Sequence, residues 1–475
     1  MTRTLCTAAT LFLILAVARP AFVFAGKGSN TTTKPAGAEQ PEAGDALPTE
    51  AAAKPKDWYA PLKNIELGPG KLDIDLNLRT RFEYLDDFNV STYETEDNDD
   101  LLLFRTRLGL DYHLSRDAHL RVQLQDARHW LNRLGKHDFP ETCPYFDQAD
   151  LREAYFEWEH IGGSPLGFKV GRQSITYADK RVFGPGDWGN VGRYWWDALK
   201  LYIDTEPAKI DVLYGQRIIS EPTDFNDRHF DFDMLGLYAQ IKKLPCKLDL
   251  FYTLRYDDHG GLEGEYGEGD EQTHTLGLHL DGKIGGNWDY GGMFAWQFGE
   301  FGRDDVEAYA VNARLGYTFD LPWKPRIGAE FNYASGDRDP GDGKHQTFDT
   351  IFGAMDLYYG RMNLVSWKNL QDYQITFGVE PMKDLKLWAD YHFLRLDSDT
   401  DAWYWASGKP ARRDRTGGSG QELGQEIDLL AQWKITRNLE LFAGYAYFMP
   451  GGFIHNTPGS QDDADWAFIQ LTYSF

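Results

Sequence analysis

From Leu72 onward the chain alternates with a period of two, and this limits the fold more than any other feature. Leu72, Ile74, Leu76, Leu78, Thr80, Phe82 and Tyr84 share one face, while Asp73, Asp75, Asn77, Arg79, Arg81 and Glu83 share the other. Successive side chains of a strand point to opposite faces, so the pattern describes a strand with one apolar and one charged side. It returns at 102–113, 248–255 and 309–319. It returns again at the end of the chain, where Ala467, Ile469, Leu471, Tyr473 and Phe475 oppose Phe468, Gln470, Thr472 and Ser474. A soluble sandwich would not need charges opposite the apolar face of every strand. A transmembrane antiparallel β-barrel does, because lipid takes one face and a wet interior the other.

The start of the chain agrees. Arg3, an apolar run over 5–17 and Val23-Phe24-Ala25 predict a secretory signal peptide over residues 1–25. Residues 26–57 are rich in Ala, Pro, Thr, Gly and Glu and poor in large apolar residues, which predicts a disordered periplasmic linker. The barrel domain is expected over 58–475. No later apolar stretch is long enough for a membrane helix, so any crossing must use strands. Formal charge is −24, and −26 once the two leader arginines are removed. That excess of acid argues against a nucleic-acid partner. Cys143 and Cys246 are expected at opposite ends of the barrel, which excludes a disulfide between them.

Connection lengths alternate. Short turns are expected at 113–118, 161–165, 205–207, 242–246, 281–287, 320–324, 380–384 and 434–438. Between them lie long polar segments such as 85–100, 132–150, 177–192, 257–273, 334–369 and 397–421. Short periplasmic turns and long extracellular loops are the outer-membrane layout, with about 18 strands here and a water-filled lumen.

If the apolar face meets lipid, the polar face lines the lumen. The first three strands then contribute Arg79, Arg81, Arg105, Arg107 and Arg121, and later strands Lys200, Arg217, Arg255 and Arg314. Guanidinium groups hold their charge and fork to carboxylates, so arginines clustered in a channel select anions. The competing reading pairs them with lumen acids such as Asp75, Asp111, Glu153, Glu157, Asp249 and Glu426. The Arg79/Arg81 and Arg105/Arg107 pairs are the hardest to neutralise and predict a local cationic constriction. Arg172 and Arg395 fall on the lipid parity, where an arginine costs about 2–4 kcal/mol near the midplane, so a bulge or a rim position is expected at each.

Other motifs carry little. Gly184-Pro185-Gly186-Asp187-Trp188-Gly189 has the spacing of a dinucleotide loop but no helix pattern after it. Asp97-Asn98-Asp99-Asp100 and Asp462-Asp463-Ala464-Asp465 read as solvated acidic loops before calcium sites. The sequence offers no Ser-His-Asp order and no close histidine pair suited to zinc. No catalytic residue, cofactor or metal site is expected.

Two groups of motifs resemble the alginate-export family of outer-membrane channels. The first runs from Lys169-Val170-Gly171-Arg172-Gln173 through Tyr177-Ala178-Asp179-Lys180-Arg181 and Asp187-Trp188 to Asp197-Ala198-Leu199. The second includes Phe348-Asp349-Thr350-Ile351-Phe352-Gly353, Asn369-Leu370-Gln371-Asp372-Tyr373, Asp401-Ala402-Trp403-Tyr404, Gly424-Gln425-Glu426-Ile427-Asp428 and Phe448-Met449-Pro450-Gly451. The resemblance covers residues 72–475. It implies an 18-stranded barrel with an arginine-rich lumen that exports an anionic polyuronate. It also implies an extracellular loop and a periplasmic turn folded toward the pore, although the turns here are short. Expected partners are the anionic polysaccharide, outer-membrane lipid and periplasmic polysaccharide-secretion proteins. The alternative is a substrate-selective uptake porin for small anions or sugars.

Overall fold

The computed structural model describes residues 57–139, 143–353, 355–356 and 358–475. The expected leader and, apart from Asp57, the expected linker lie outside these residues. The chain divides into a unit that ends at Ala60 and a barrel unit, Pro61–Phe475.

Eighteen long strands build the barrel. The first six are β1 (Gly70–Asp86), β2 (Asp99–His113), β3 (Ala118–Trp130), β4 (Asp147–Trp158), β5 (Leu166–Gln173) and β6 (Trp196–Asp204). Then come β7 (Ala208–Ile219), β8 (Asp227–Ile241), β9 (Lys247–Gly264), β10 (Gly267–Ile284), β11 (Trp288–Gly302) and β12 (Asp304–Thr318). The last six are β13 (Arg326–Ala334), β14 (Leu370–Met382), β15 (Leu385–Arg395), β16 (Glu422–Lys434), β17 (Leu439–Pro450) and β18 (Ala464–Ser474). Each pairs antiparallel with its neighbours in sequence. The cylinder closes where β18 returns to β1, from Asn77↔Ser474 to Asp86↔Asp465. Closure leaves no barrel strand with an unpaired edge in the bilayer.

The two faces follow the sequence period. Leu78, Phe82, Leu108, Leu250, Leu315, Ile469 and Leu471 are all exposed on the outside, as residues in contact with lipid must be. Trp158, Trp288 and Trp323 mark the turn end of this surface, and Trp130 and Trp296 lie toward the loop end. The barrel spans the outer membrane.

The connections at the end that holds both barrel termini are short, the longest being 159–165 and 319–325. The opposite end carries the long loops 174–195, 335–369 and 396–421. One expected loop is corrected. Much of 257–273 is strand, because β9 and β10 stay paired to a tight connection at Gly264↔Gly267. Polar alternation continues there beyond the lipid, and a strand in water reads like a polar loop. Arg395 sits at a register shift between β15 and β16, and Arg172 lies at the end of β5 on Asp197, so neither guanidinium meets lipid alone. Cys143 and Cys246 are free thiols, one beside the long loops and one in the turn 242–246.

The buried apolar core lies inside the barrel rather than between layers. Phe183 of loop 174–195 forms a parallel bridge with Phe352 of loop 335–369. Gly184 N–H donates to Phe352 O (3.0 Å) and Phe352 N–H to Val182 O (2.9 Å). Around this bridge pack Trp196, Phe232, Met234 and Leu213 from the wall. Two long loops therefore fold inward and pair with each other in the lumen.

Candidate functional site

Loop 174–195 meets the wall at the arginines that the sequence singles out. Arg79 and Arg105 are direct cross-strand partners, an arrangement that repels. The backbone carbonyl of Asp187 relieves it by accepting from both, at 2.8 Å from Arg79 Nη1 and 2.9 Å from Arg105 Nη1. Arg79 Nη2 donates to Gly189 O (2.9 Å) and Arg81 Nη1 to Trp188 O (2.7 Å). The Arg81 guanidinium also lies 3.9 Å from the Trp188 ring centre and 2.6 Å from Glu83. The Asp187 carboxylate takes Arg107 Nη1 at 3.0 Å and Arg152 Nη2 at 3.7 Å. Asn190 fixes the loop by donating to Phe104 O, Arg128 O and Tyr145 O.

Five guanidinium groups thus meet two carboxylates, Asp187 and Glu83. Burial would raise the Asp187 carboxyl, but Arg107, Arg152 and Arg105 outweigh it and hold the group well below the usual carboxylate range. Its side chain remains 43% exposed, so it faces the remaining water of the lumen. One expectation is corrected here. Arg79, Arg81 and Arg105 point into the lumen but are 3–6% exposed, because loop 174–195 covers them. They do not line open water.

The other arginines are not brought to this cluster. Arg121 bonds Asp75 and Glu153 at 2.9 Å each and lies 3.7 Å from Asp111, as the charge-pairing reading expected. Arg217 lies over the Tyr194 ring at 5.1 Å. Arg255 donates to Glu271 and to Asp349 of loop 335–369 at 2.6 Å each. Arg314 joins Asp281 and Asp179. Lys200 is the cross-strand partner of Lys169, and the two ammonium groups lie over the rings of Tyr202 and Tyr155.

The sequence reading missed Arg152, Asp187 and Arg181. Strict alternation places Arg152 outside, next to the inward Glu153. A register shift between Gln123↔Glu153 and Leu124↔Leu151 makes Arg152 the extra residue of a bulge and turns it inward. Arg181 lies in the loop and bonds Asp179, Glu330 and Asn332. Asp179 is two positions away, but Glu330 and Asn332 lie about 150 positions further on, so the sequence alone does not show that the three meet at Arg181. The histidine reading also needs correction, since His113 and His119 are direct cross-strand partners.

An 18-stranded barrel with a lipid-facing exterior, inward loops and a charged lumen defines an outer-membrane channel. The alginate export family matches residues 71–468. The chain belongs to that family, an export channel for an anionic polysaccharide of the alginate type. Solved barrels of similar fold include OpdK of Pseudomonas aeruginosa, at 11% identity, TM-score 0.56 and coverage of 85% of this chain and 98% of that one. Pseudomonas aeruginosa OpdO is similar at 13% identity and TM-score 0.55, covering 85% and 97%. Acinetobacter baumannii OccAB2 is similar at 12% and 0.56, covering 85% and 98%. A search of curated protein sequences returns no match.

Proposed function

We propose that the exported polyuronate passes along the arginine cluster by exchanging its carboxylates with that of Asp187. The observation that carries this is one half-exposed carboxylate held by several guanidinium groups. Asp187 occupies the place that a substrate carboxylate would take. Lys169, Lys200 and Arg121 lie nearer the periplasm and lead toward Arg107 and Arg152. Interleaved acids such as Asp75, Asp111 and Glu153 keep each contact weak enough to release, which conduction requires. Passage is electrostatic, with no bond made or broken, so the channel is not an enzyme. Periplasmic polysaccharide-secretion proteins are the partners that would deliver the polymer.

Planar-bilayer recordings test this. The wild-type pore should favour anions, and soluble uronate oligomers should block it. Arg107→Glu with Arg152→Glu should weaken that block at least tenfold, about 1.4 kcal/mol. A cation-selective pore indifferent to uronates would overturn the reading. The uptake alternative uses the same barrel, and block by small sugars with none by uronates would favour it.

A further inference from the structure

We propose that the periplasmic end of the lumen holds a binding site for a zinc-type divalent cation, built by His113, His119 and Asp111, with Asp73 as a further ligand. The four residues sit on three adjacent strands at one level of the wall. Asp73 and Asp111 are cross-strand partners on β1 and β2, and His113 and His119 are cross-strand partners on β2 and β3. All four lie on the lumen parity, and their neighbour Glu157 pairs with His119 from β4.

The donor atoms converge. One ligand atom each from Asp111, His113 and His119 lies within 4.8 Å of the others. His113 Nε2 is 3.6 Å from Asp111 Oδ1 and 3.7 Å from Asp73 Oδ2. Ligand atoms about 2.1 Å from a tetrahedral ion stand about 3.4 Å apart, so small side-chain rotations would complete the set. The two imidazole rings are 5.5 Å apart. Asp111 is divided in its duties. Its Oδ2 lies 3.7 Å from Arg121 Nη1, while its Oδ1 is sealed from solvent with no hydrogen-bond partner among the described residues. A sealed carboxylate oxygen with no hydrogen bond, 3.6 Å from the His113 imidazole, is the second sign of a ligand.

The donor type selects the ion. Two imidazoles with carboxylates suit zinc, nickel or copper, whereas calcium and magnesium prefer oxygen alone. Nearby charge favours a cation too, since Asp75, Glu153 and Glu157 surround the site and Arg121 is the basic group bonded among them. Lys71, the cross-strand partner of His113, is ion-paired to Glu66. The site does not depend on which polymer the channel carries.

The test is zinc titration of the folded full-length barrel in detergent by calorimetry. One saturable site is expected. His113→Gln and His119→Gln should each weaken it tenfold or more, and His455→Gln should leave it unchanged. Cobalt added to the unmodified barrel gives a second readout that needs no variant, the visible absorption of a four- or five-coordinate ion. No saturable zinc binding up to about 1 mM would overturn the proposal. Binding unmoved by both histidine substitutions, or cobalt without such bands, would do the same.

Discussion

The carboxylate of Asp187 lies 3.0 Å from the Arg107 guanidinium, although 80 positions separate the two residues in the chain. The pair joins an extracellular loop to the second strand of the wall. It also shows why the lumen is locally cationic, since a single loop acid is shared among several arginines.

Replacing Asp187 therefore changes selectivity more than folding. In Asp187→Ala the backbone carbonyls of residues 187–189 still hold Arg79, Arg81 and Arg105, so the loop stays docked. The cluster loses one of its two negative charges. The anion-to-cation permeability ratio, read from the reversal potential in a salt gradient, should rise several-fold, and less so at high ionic strength. An unchanged ratio would place Asp187 outside the permeation path.

The contact between the two inward loops should be separable from the barrel. Phe352 is 1% exposed and packs against Phe183, Trp196 and Tyr194. Phe352→Ala should cost about 3–5 kcal/mol of local packing. Hydrogen exchange should rise in 174–195 and 335–369 while the strands stay protected, because the wall is held by its own closed ladder. Loss of protection across the whole barrel would contradict this.

His345 makes the seating of loop 335–369 sensitive to acid. Its ring stacks on Phe301 at 4.3 Å, and its Nε2 is sealed from solvent. Desolvation, helped by Lys368, pushes its pKa down to about 4 from an ordinary value near 6.5. The seated form therefore prefers the neutral ring. Its contribution is whole above about pH 6.5 and is lost as the pH falls toward 4. Loop protection in His345→Phe minus that in wild type should be flat above pH 7 and should grow on acidification. A difference that does not change with pH would rule this out.

Asp337 works in the opposite sense. Burial, together with the nearby Glu265, pushes its carboxyl up to about 7. The seated loop prefers the protonated acid, so stability that is whole below about pH 4 is lost as the pH rises toward 7. Asp337→Asn should slow hydrogen exchange of loop 335–369 at pH 8 and change it little at pH 4. Faster exchange in the variant at pH 8 would show that the charge helps rather than hinders.

The sequence alone determined the barrel, its strand number, its lipid face, the side that carries long loops and the inward direction of Arg79, Arg81, Arg105 and Arg107. These follow from a period of two and from turn spacing, which are local and repeat along the chain. Only the tertiary structure decided what those arginines touch. Asp187 reaches them because loop 174–195 folds back into the cylinder, and the hydrogen bonds that tie it to these arginines are between residues about 80 to 110 positions apart. Arg152 escaped notice because one bulged residue reverses the parity on which the reading relied. The His113–His119 pair needed the register across the turn 114–117, which alternation does not fix. A repeating pattern states which way a side chain points, whereas a site depends on which distant side chains converge, and closure of the barrel sets that.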